Sequence, residues 1–292
     1  MGAIVLALAA FFLVWPASAQ TAGKSTGGDP TCIPLDENGK ATEVAPQFKN
    51  LPLCPATDNP SGAGLPTDAA SFMAWYEALR ECGPGQHDPL FSWLATHADL
   101  QAMRWFVEQE AAGEAGFDDL VALTQVKLPT VAKLELARNS WDEMGRGNPR
   151  GMHGPMLETL VRTLGLDPRP QTTIWQLVAL GNLMTALALN RRYTFQSIGA
   201  LGAIEMTAPD RAEAVARGLA RLGVDHASCR YFDLHAVLDR KHSADWNREV
   251  ILPLVTSDPG LARPIAEGAL MRLSAGARCF ERYRSQFRLS HL

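Results

Sequence analysis

The segment from Tyr231 to Trp246 carries the sharpest chemical pattern in the chain. His235, Asp239 and His242 fall at i, i+4 and i+7, which sets all three side chains along one helix face. Tyr231 and Trp246 continue the same stripe, so this face points inward, while Arg240 and Lys241 fall on the other side as solvated residues should. Two imidazoles and a carboxylate converging from one inward face make half of a metal site suited to iron, manganese or zinc. The plainer alternative is a surface on which Asp239 pairs with His235.

A buried charge without a partner costs several kcal/mol, so further ionisable groups on buried stripes need an explanation. Glu143 ends one helical stretch, and Gly145, Gly147, Pro149 and Gly151 then loosen the backbone before His153 opens the next. That loosening lets a carboxylate and an imidazole ten residues apart aim at one point; a helix C-cap loop with a solvated Glu143 is the competing reading. Glu205 is the sole charge between Phe195 and Thr207, and reads as a ligand or as a cap for a following helix. Glu110 and Glu114 lie one turn apart on a buried stripe, whereas Asp118 and Asp119 read as solvated. Three histidines and four or five carboxylates on separate helices exceed what one metal ion uses. They suit a dinuclear iron or manganese carboxylate site, and zinc hydrolases usually need fewer carboxylates.

Helices must position these groups. From Thr67 onward apolar residues recur at steps of three and four: Met73 to Leu79, Met103 to Val121, Leu128 to Trp141 and Met156 to Leu164. Trp175 to Leu189 is nearly all apolar and predicts a buried central helix. Thr194 to Met206 follows, and Thr207 to Asp210 reads as a capped start of another helix that ends at Gly223. Asp225 to about Val255 and Pro264 to Tyr283 complete an all-α bundle of about seven to nine helices, with no alternating strand pattern. Trp141, Met144, Met152, Met184 and Met206 are candidates to line a pocket, with core packing the expected role for most.

The chain has 292 residues, enough for one large domain or two small ones. Its 27 Lys+Arg against 31 Asp+Glu leave no basic field, which excludes nucleic acid as an expected partner. Thirteen apolar residues from Ala3 to Trp15 are too few for a membrane span, and Ala17-Ser18-Ala19 fits a cleavage site. Residues 1–19 therefore read as a signal peptide, although no Lys or Arg precedes Lys24. The expected location is the periplasm or outside the cell, with the cytoplasm as the alternative. Residues 20–66 form a Gly/Pro/polar arm in which Cys32 and Cys54 can pair if the chain is exported, and 67–292 form the helical domain. Cys82, Cys229 and Cys279 lie on helical stretches and read as core fillers.

With these residues in hand, the chain resembles the heme-oxygenase-like diiron oxidases and oxygenases, also called iron-containing redox enzymes. Their signature is a Glu and a His around a loosened helix, an isolated Glu some fifty residues on, then His-x3-Asp-x2-His about thirty residues later. Here Glu143 and His153 fit the first part, Glu205 follows His153 by 52 residues, and His235 follows Glu205 by 30. The resemblance covers about Asp88 to Val255. It implies a heme-oxygenase-like bundle binding two iron ions through Glu143, His153, Glu205, His235, Asp239 and His242. An early Glu adds a ligand in some members, with Glu114 the first choice and Glu110 the second. It further implies activation of O2 to oxidise a small organic substrate, by N-oxygenation or oxidative C–C cleavage or desaturation, with an external reductant. Rival readings are heme oxygenase proper, a cofactor-free relative similar to thiaminase II, and a non-catalytic iron-binding protein. Oligomeric state is not readable, a homodimer being one option.

Overall fold

A computed structural model describes residues 65–289 apart from Thr67 and Ala115. The signal segment 1–19, and the arm with Cys32 and Cys54 up to residue 64, lie outside the described residues. Within them the chain is all-α, with eleven α-helical segments, eight of which are eleven residues or longer. No helix among the described residues is long and apolar enough to cross a membrane.

Short polar signals start many of these helices. Asp68, Asp88, Asp99 and Asp225 each accept a hydrogen bond from a backbone N–H of the first turn, opening α1 (Ala69–Cys82), α2 (Pro89–Thr96), α3 (Leu100–Gly113) and α9 (His226–Trp246). Between α3 and α9 run α4 (Phe117–Thr124), α5 (Thr130–Glu143), α6 (His153–Thr163), α7 (Trp175–Leu189) and α8 (Thr194–Arg221). A π-turn, Asn247–Ile251, carries α9 without interruption into α10 (Leu252–Ser257), and α11 (Ala262–Phe287) closes the bundle. Pro253 has no N–H to offer one turn back, and the widened π-turn before it takes up the mismatch.

Three helical expectations change. The stretch Met103 to Val121 breaks at Glu114–Gly116, where Glu114 caps α3 and Gly116 takes φ +73° to start α4. The predicted new helix at Thr207 does not exist: α8 runs through Pro209, and the Thr207 hydroxyl donates to Ala203 O (2.7 Å) inside the helix instead of capping. Pro209 then leaves the carbonyl of Glu205 without its helical donor, a local loosening beside this buried carboxylate. The central buried helix is α8 rather than α7, for α7 leaves Trp175 and Leu189 exposed at its ends. Cys229 and Cys279 are buried as expected, whereas Cys82 is exposed.

α8 packs against α9 on one side and α11 on another. Backbones nearly touch at the α8–α11 crossing. A Cβ on Gly199 would lie 1.9 Å from Ile265 O, and one on Gly268 would lie 1.8 Å from Gln196 O. Buried cross-links pin the same region, with Tyr76 Oη donating to Gly199 O (2.8 Å) and Trp246 Nε1 to Ile198 O (3.2 Å). Glu205 and the His235–His242 face are thereby set on rigid, mutually locked elements.

Candidate metal centre

Four helices deliver the ionisable groups to one place. α5 ends in Glu143, and a loop of two 3-10 turns follows, closed by an isolated bridge between Met144 and Met152. Gly145, at φ +62°, lies so close to Gly151 that a Cβ would meet its carbonyl carbon at 2.3 Å. The loop folds back so tightly that His153, first residue of α6, contacts Glu143 through Nδ1 and Oε2. Glu205 enters from α8, and His235, Asp239 and His242 from α9.

Two donor clusters result. One donor atom each from Glu143, His153 and His235 lie within 4.8 Å of one another, and the same holds for Glu143, Glu205 and His242. Glu143 belongs to both. Its Oε2 faces His153 while its Oε1 faces His242 Nδ1 at 3.8 Å; Glu205 Oε1 is 3.6 Å from the same nitrogen. His153 Nε2, His242 Nδ1 and Asp239 Oδ1 are buried and have no hydrogen-bond partner among the described residues, so ligand capacity is left unused at the centre.

Outer partners fix the rings. His235 Nδ1–H donates to Tyr231 O (2.7 Å), which turns the Nε2 lone pair toward His153 (3.1 Å). Asp142 Oδ2 sits 3.2 Å from His242 Nε2 and is itself gripped by Arg146 Nε through Oδ1 (2.6 Å). Asn139 Nδ2 donates to Glu205 Oε1 (2.5 Å). Carboxylate and carbonyl partners behind imidazoles are the usual support of a metal-binding histidine.

Asp142 and Asn139 escaped the sequence reading. Asn139 stands one turn before Glu143 on the same face of α5, a signal that was there to use. Asp142 adjoins Glu143 in sequence and would ordinarily point elsewhere. The structure brings together Glu143, His153, Glu205, His235 and His242; Asp239 belongs to neither cluster but lines the cavity beside them, where the charges of Glu205 and Glu143 bear on it. Glu114 and Glu110 line the same cavity but stand outside both clusters. Glu114 accepts from Gly116 N (3.0 Å) and from Tyr231 Oη (3.3 Å), and Glu110 accepts from Tyr283 Oη (2.6 Å). Burial raises the pKa of Glu110 against that hydrogen bond.

The electrostatics follow from three carboxylates sharing a buried space. Burial, then the charge of Glu205, pushes Glu143 up to about 8 and Asp239 up to about 10. Burial opposes a charge on His242, but Glu205, Asp142 and Glu143 outweigh it and lift the ring to about 9. Burial, then the charge of His242, drops His153 to about 4, and burial lowers His235 as well. Protons are retained here where a cation would replace them.

The pH consequence has a definite sign. Glu143, Asp239 and His242 keep protons in the folded chain that the unfolded chain, titrating at 4.5, 3.8 and 6.5, has lost. The stability of the metal-free protein should therefore fall as pH rises from 6.5 to about 8. His153 and His235 oppose this only below their ordinary 6.5. Thermal melts should show a lower midpoint at the upper pH; a midpoint that holds or rises would contradict the buried, proton-sharing cluster.

A cavity of about 220 Å³ opens from the cluster, with Glu143, Glu205, His235 and Asp239 on its wall. Phe117, Leu120, Leu157, Leu180 and Ile204 give it an apolar lining. Of the five pocket candidates Met184 alone is on the wall; Met206 is in the core and Trp141 is half exposed.

The sequence profile of a family described as "Iron-containing redox enzyme" matches residues 104–277, a span that contains every residue of the cluster. No curated protein is similar enough in sequence to count as a match. Solved structures share the fold at low identity. A CADD-like protein of unknown function from Nostoc punctiforme superposes with a TM-score of 0.59 at 16% identity, covering 75% of this chain and 97% of that one. A TenA homologue from Pseudomonas syringae pv. tomato gives 0.57 at 16%, covering 74% and 91%. A domain of unknown function with a heme oxygenase-like fold from Shewanella denitrificans gives 0.51 at 14%, covering 76% and 90%. The all-α bundle is thus heme-oxygenase-like.

Proposed function

The chain belongs to the iron-containing redox enzyme family, and from that premise we propose that it is an O2-dependent oxidase or oxygenase holding two iron ions at the buried cluster. The observation that carries this reading is Glu143, whose two oxygens face two different sets of donors. A carboxylate so placed suits a bridge between two ions. The orphaned nitrogens of His153 and His242 and the orphaned oxygen of Asp239 fit the same occupant.

Glu143, His153 and His235 would hold one ion and Glu143, Glu205 and His242 the other, with Asp239 a further carboxylate on the same cavity wall. Of the two early candidates, Glu114 is favoured over Glu110. Its charge bears on Glu143 and His153 and its partner Tyr231 lies on α9 one turn before His235, whereas the partner of Glu110 is Tyr283 on α11. Held there, two ferrous ions would supply the two electrons that O2 activation requires, with an external reductant to restore them.

The protein's own contribution is positional. Tyr231 O and Asp142 orient His235 and His242, and Asn139 holds Glu205. The carboxylates release protons as a cation enters, so binding is coupled to pH. The apolar stretch of the wall gives an organic substrate a place to lie.

Mixing anaerobic ferrous protein with O2 tests this function. Rapid O2 uptake is expected, and Asp239→Ala should remove it while the helical content is kept, because alanine is a good helix former. Metal bound without any O2 uptake would end the oxidase reading in favour of iron binding or storage.

A further inference from the structure

The same cavity has a second charged end that the metal reading does not use. Arg211 of α8 and Arg272 of α11 both line it. Arg211 lies over Phe280, with its guanidinium carbon 4.7 Å from the ring centroid, and 5.6 Å from that of Phe91. Its one hydrogen bond among the described residues is a long one, from Nη2 to Gly85 O (3.4 Å). Arg272 Nε is buried with no hydrogen-bond partner among the described residues. Gly276 makes room for this guanidinium, since a Cβ there would lie 2.7 Å from Arg272 Nη1.

No carboxylate among the described residues comes within 4.0 Å of either guanidinium. Nearby Asp210 is taken by Arg240 (2.8 Å), and Glu110, which faces the two arginines across the cavity, is hydrogen-bonded to Tyr283. Glu110 is the carboxylate whose charge reaches both guanidiniums, Glu114 adds to it at Arg272 and Asp210 at Arg211, and none of them touches either one. Burial and the charge of Arg272 press Arg211 down to about 9, which still leaves it cationic at neutral pH. Buried guanidiniums are ordinarily paired, and their planar fork matches a carboxylate.

This end is separated from the metal cluster. Arg211 is six residues beyond Glu205 on α8, about 9 Å along the axis at 1.5 Å per residue. α3 runs alongside, with Glu110 at the arginine end and Glu114, four residues or about 6 Å further on at its C-cap, toward the metal end. Apolar side chains line the space they share.

We propose that Arg211 and Arg272 bind the carboxylate of the substrate, a small amphipathic acid whose apolar part faces the metal cluster. This names the substrate class for the proposed function and rests on that reading. The acid group is an anchor, and the bond that reacts lies in the part of the molecule remote from it.

Hexanoate, hexanol and hexylamine serve as probes of one length and three charges, titrated calorimetrically into the metal-free chain, where no ion can capture a carboxylate. Wild type should bind hexanoate at least about tenfold more tightly than hexanol and reject hexylamine. Arg272→Gln and Arg211→Gln should each weaken hexanoate by about tenfold or more and leave hexanol unchanged. Arg272→Lys, which keeps the charge, should lose less than Arg272→Gln. Removing an unpaired buried charge should not lower the melting temperature, and should abolish the rise that hexanoate causes in wild type. Should a variant not fold, the three-probe comparison on wild type decides by itself. Equal binding of hexanoate and hexanol, no binding of hexanoate, or undiminished hexanoate binding in both glutamine variants would overturn the assignment. A chain that binds hexanoate through these arginines yet takes no iron refutes the proposed function instead. One that takes two irons and consumes O2 but ignores the charge of the probe refutes the arginine anchor alone.

Discussion

Glu143→Ala is expected to remove both irons, a larger loss than any other single replacement in the cluster. Each of its oxygens serves a different donor set, so one substitution subtracts a ligand from both. Loss of an outer partner such as Asp142 costs roughly 10–100-fold in metal affinity in comparable sites, and loss of a shared ligand should exceed that. His153→Ala and His242→Ala each touch one set and should leave the other partly loaded. The fold should survive Glu143→Ala, because the replacement also removes a buried carboxyl whose ionisation is opposed up to about pH 8. Metal analysis after reconstitution with ferrous iron provides the check. A Glu143→Ala chain with the iron content of wild type would dismiss the bridging role.

The second large effect is structural. Gly268→Ala and Gly199→Ala each put a methyl group inside backbone, 1.8 Å from Gln196 O and 1.9 Å from Ile265 O. Neither obstacle is a flexible side chain, so α8 and α11 must separate. Overpacking typically costs 1–3 kcal/mol, and a backbone obstacle places these two near about 3 kcal/mol or above. For a domain of this size that is a fall of about 6–12 °C in melting temperature. Gly154→Ala is the control: nothing among the described residues lies within 4 Å of a Cβ there, so this replacement should be neutral or slightly stabilising. Because α8 carries Glu205, iron affinity should fall with stability in the Gly268 and Gly199 variants and hold in the control. Equal melting temperatures for all three would refute the close helix crossing.

Much of the centre is written in local spacing. His235, Asp239 and His242 are legible because a helix converts i, i+4, i+7 into one face, and Glu205 because it is a lone charge in an apolar run. Glu143 and His153 needed the intervening glycines to suggest that ten residues could fold back on themselves. Asp142 was hidden because its role depends on where α9 places His242, a tertiary fact with no local trace. The identity of the early Glu was obscured by periodicity itself. Met103 to Val121 keeps a helical rhythm across Glu114, yet Gly116 at positive φ breaks the helix there and swings Glu114 out of the stripe. Thr207-Ala-Pro-Asp210 misled in the opposite direction. It has the residues of a helix start, but tertiary packing of α8 carries the helix straight through the proline.

The paired arginines were invisible for a related reason. Arg211 and Arg272 stand on different helices sixty-one residues apart, and each alone reads as a solvated cation. Only the packing of α8 on α11 makes them two walls of one cavity.

The measurement that bears most directly on the account is metal analysis with Mössbauer spectroscopy of the full chain, reconstituted anaerobically with isotopically enriched ferrous iron and then exposed to air. Two irons per chain, spin-coupled through a shared carboxylate after oxidation, are the predicted result. One isolated iron, two uncoupled irons, or a chain that stays metal-free would contradict it.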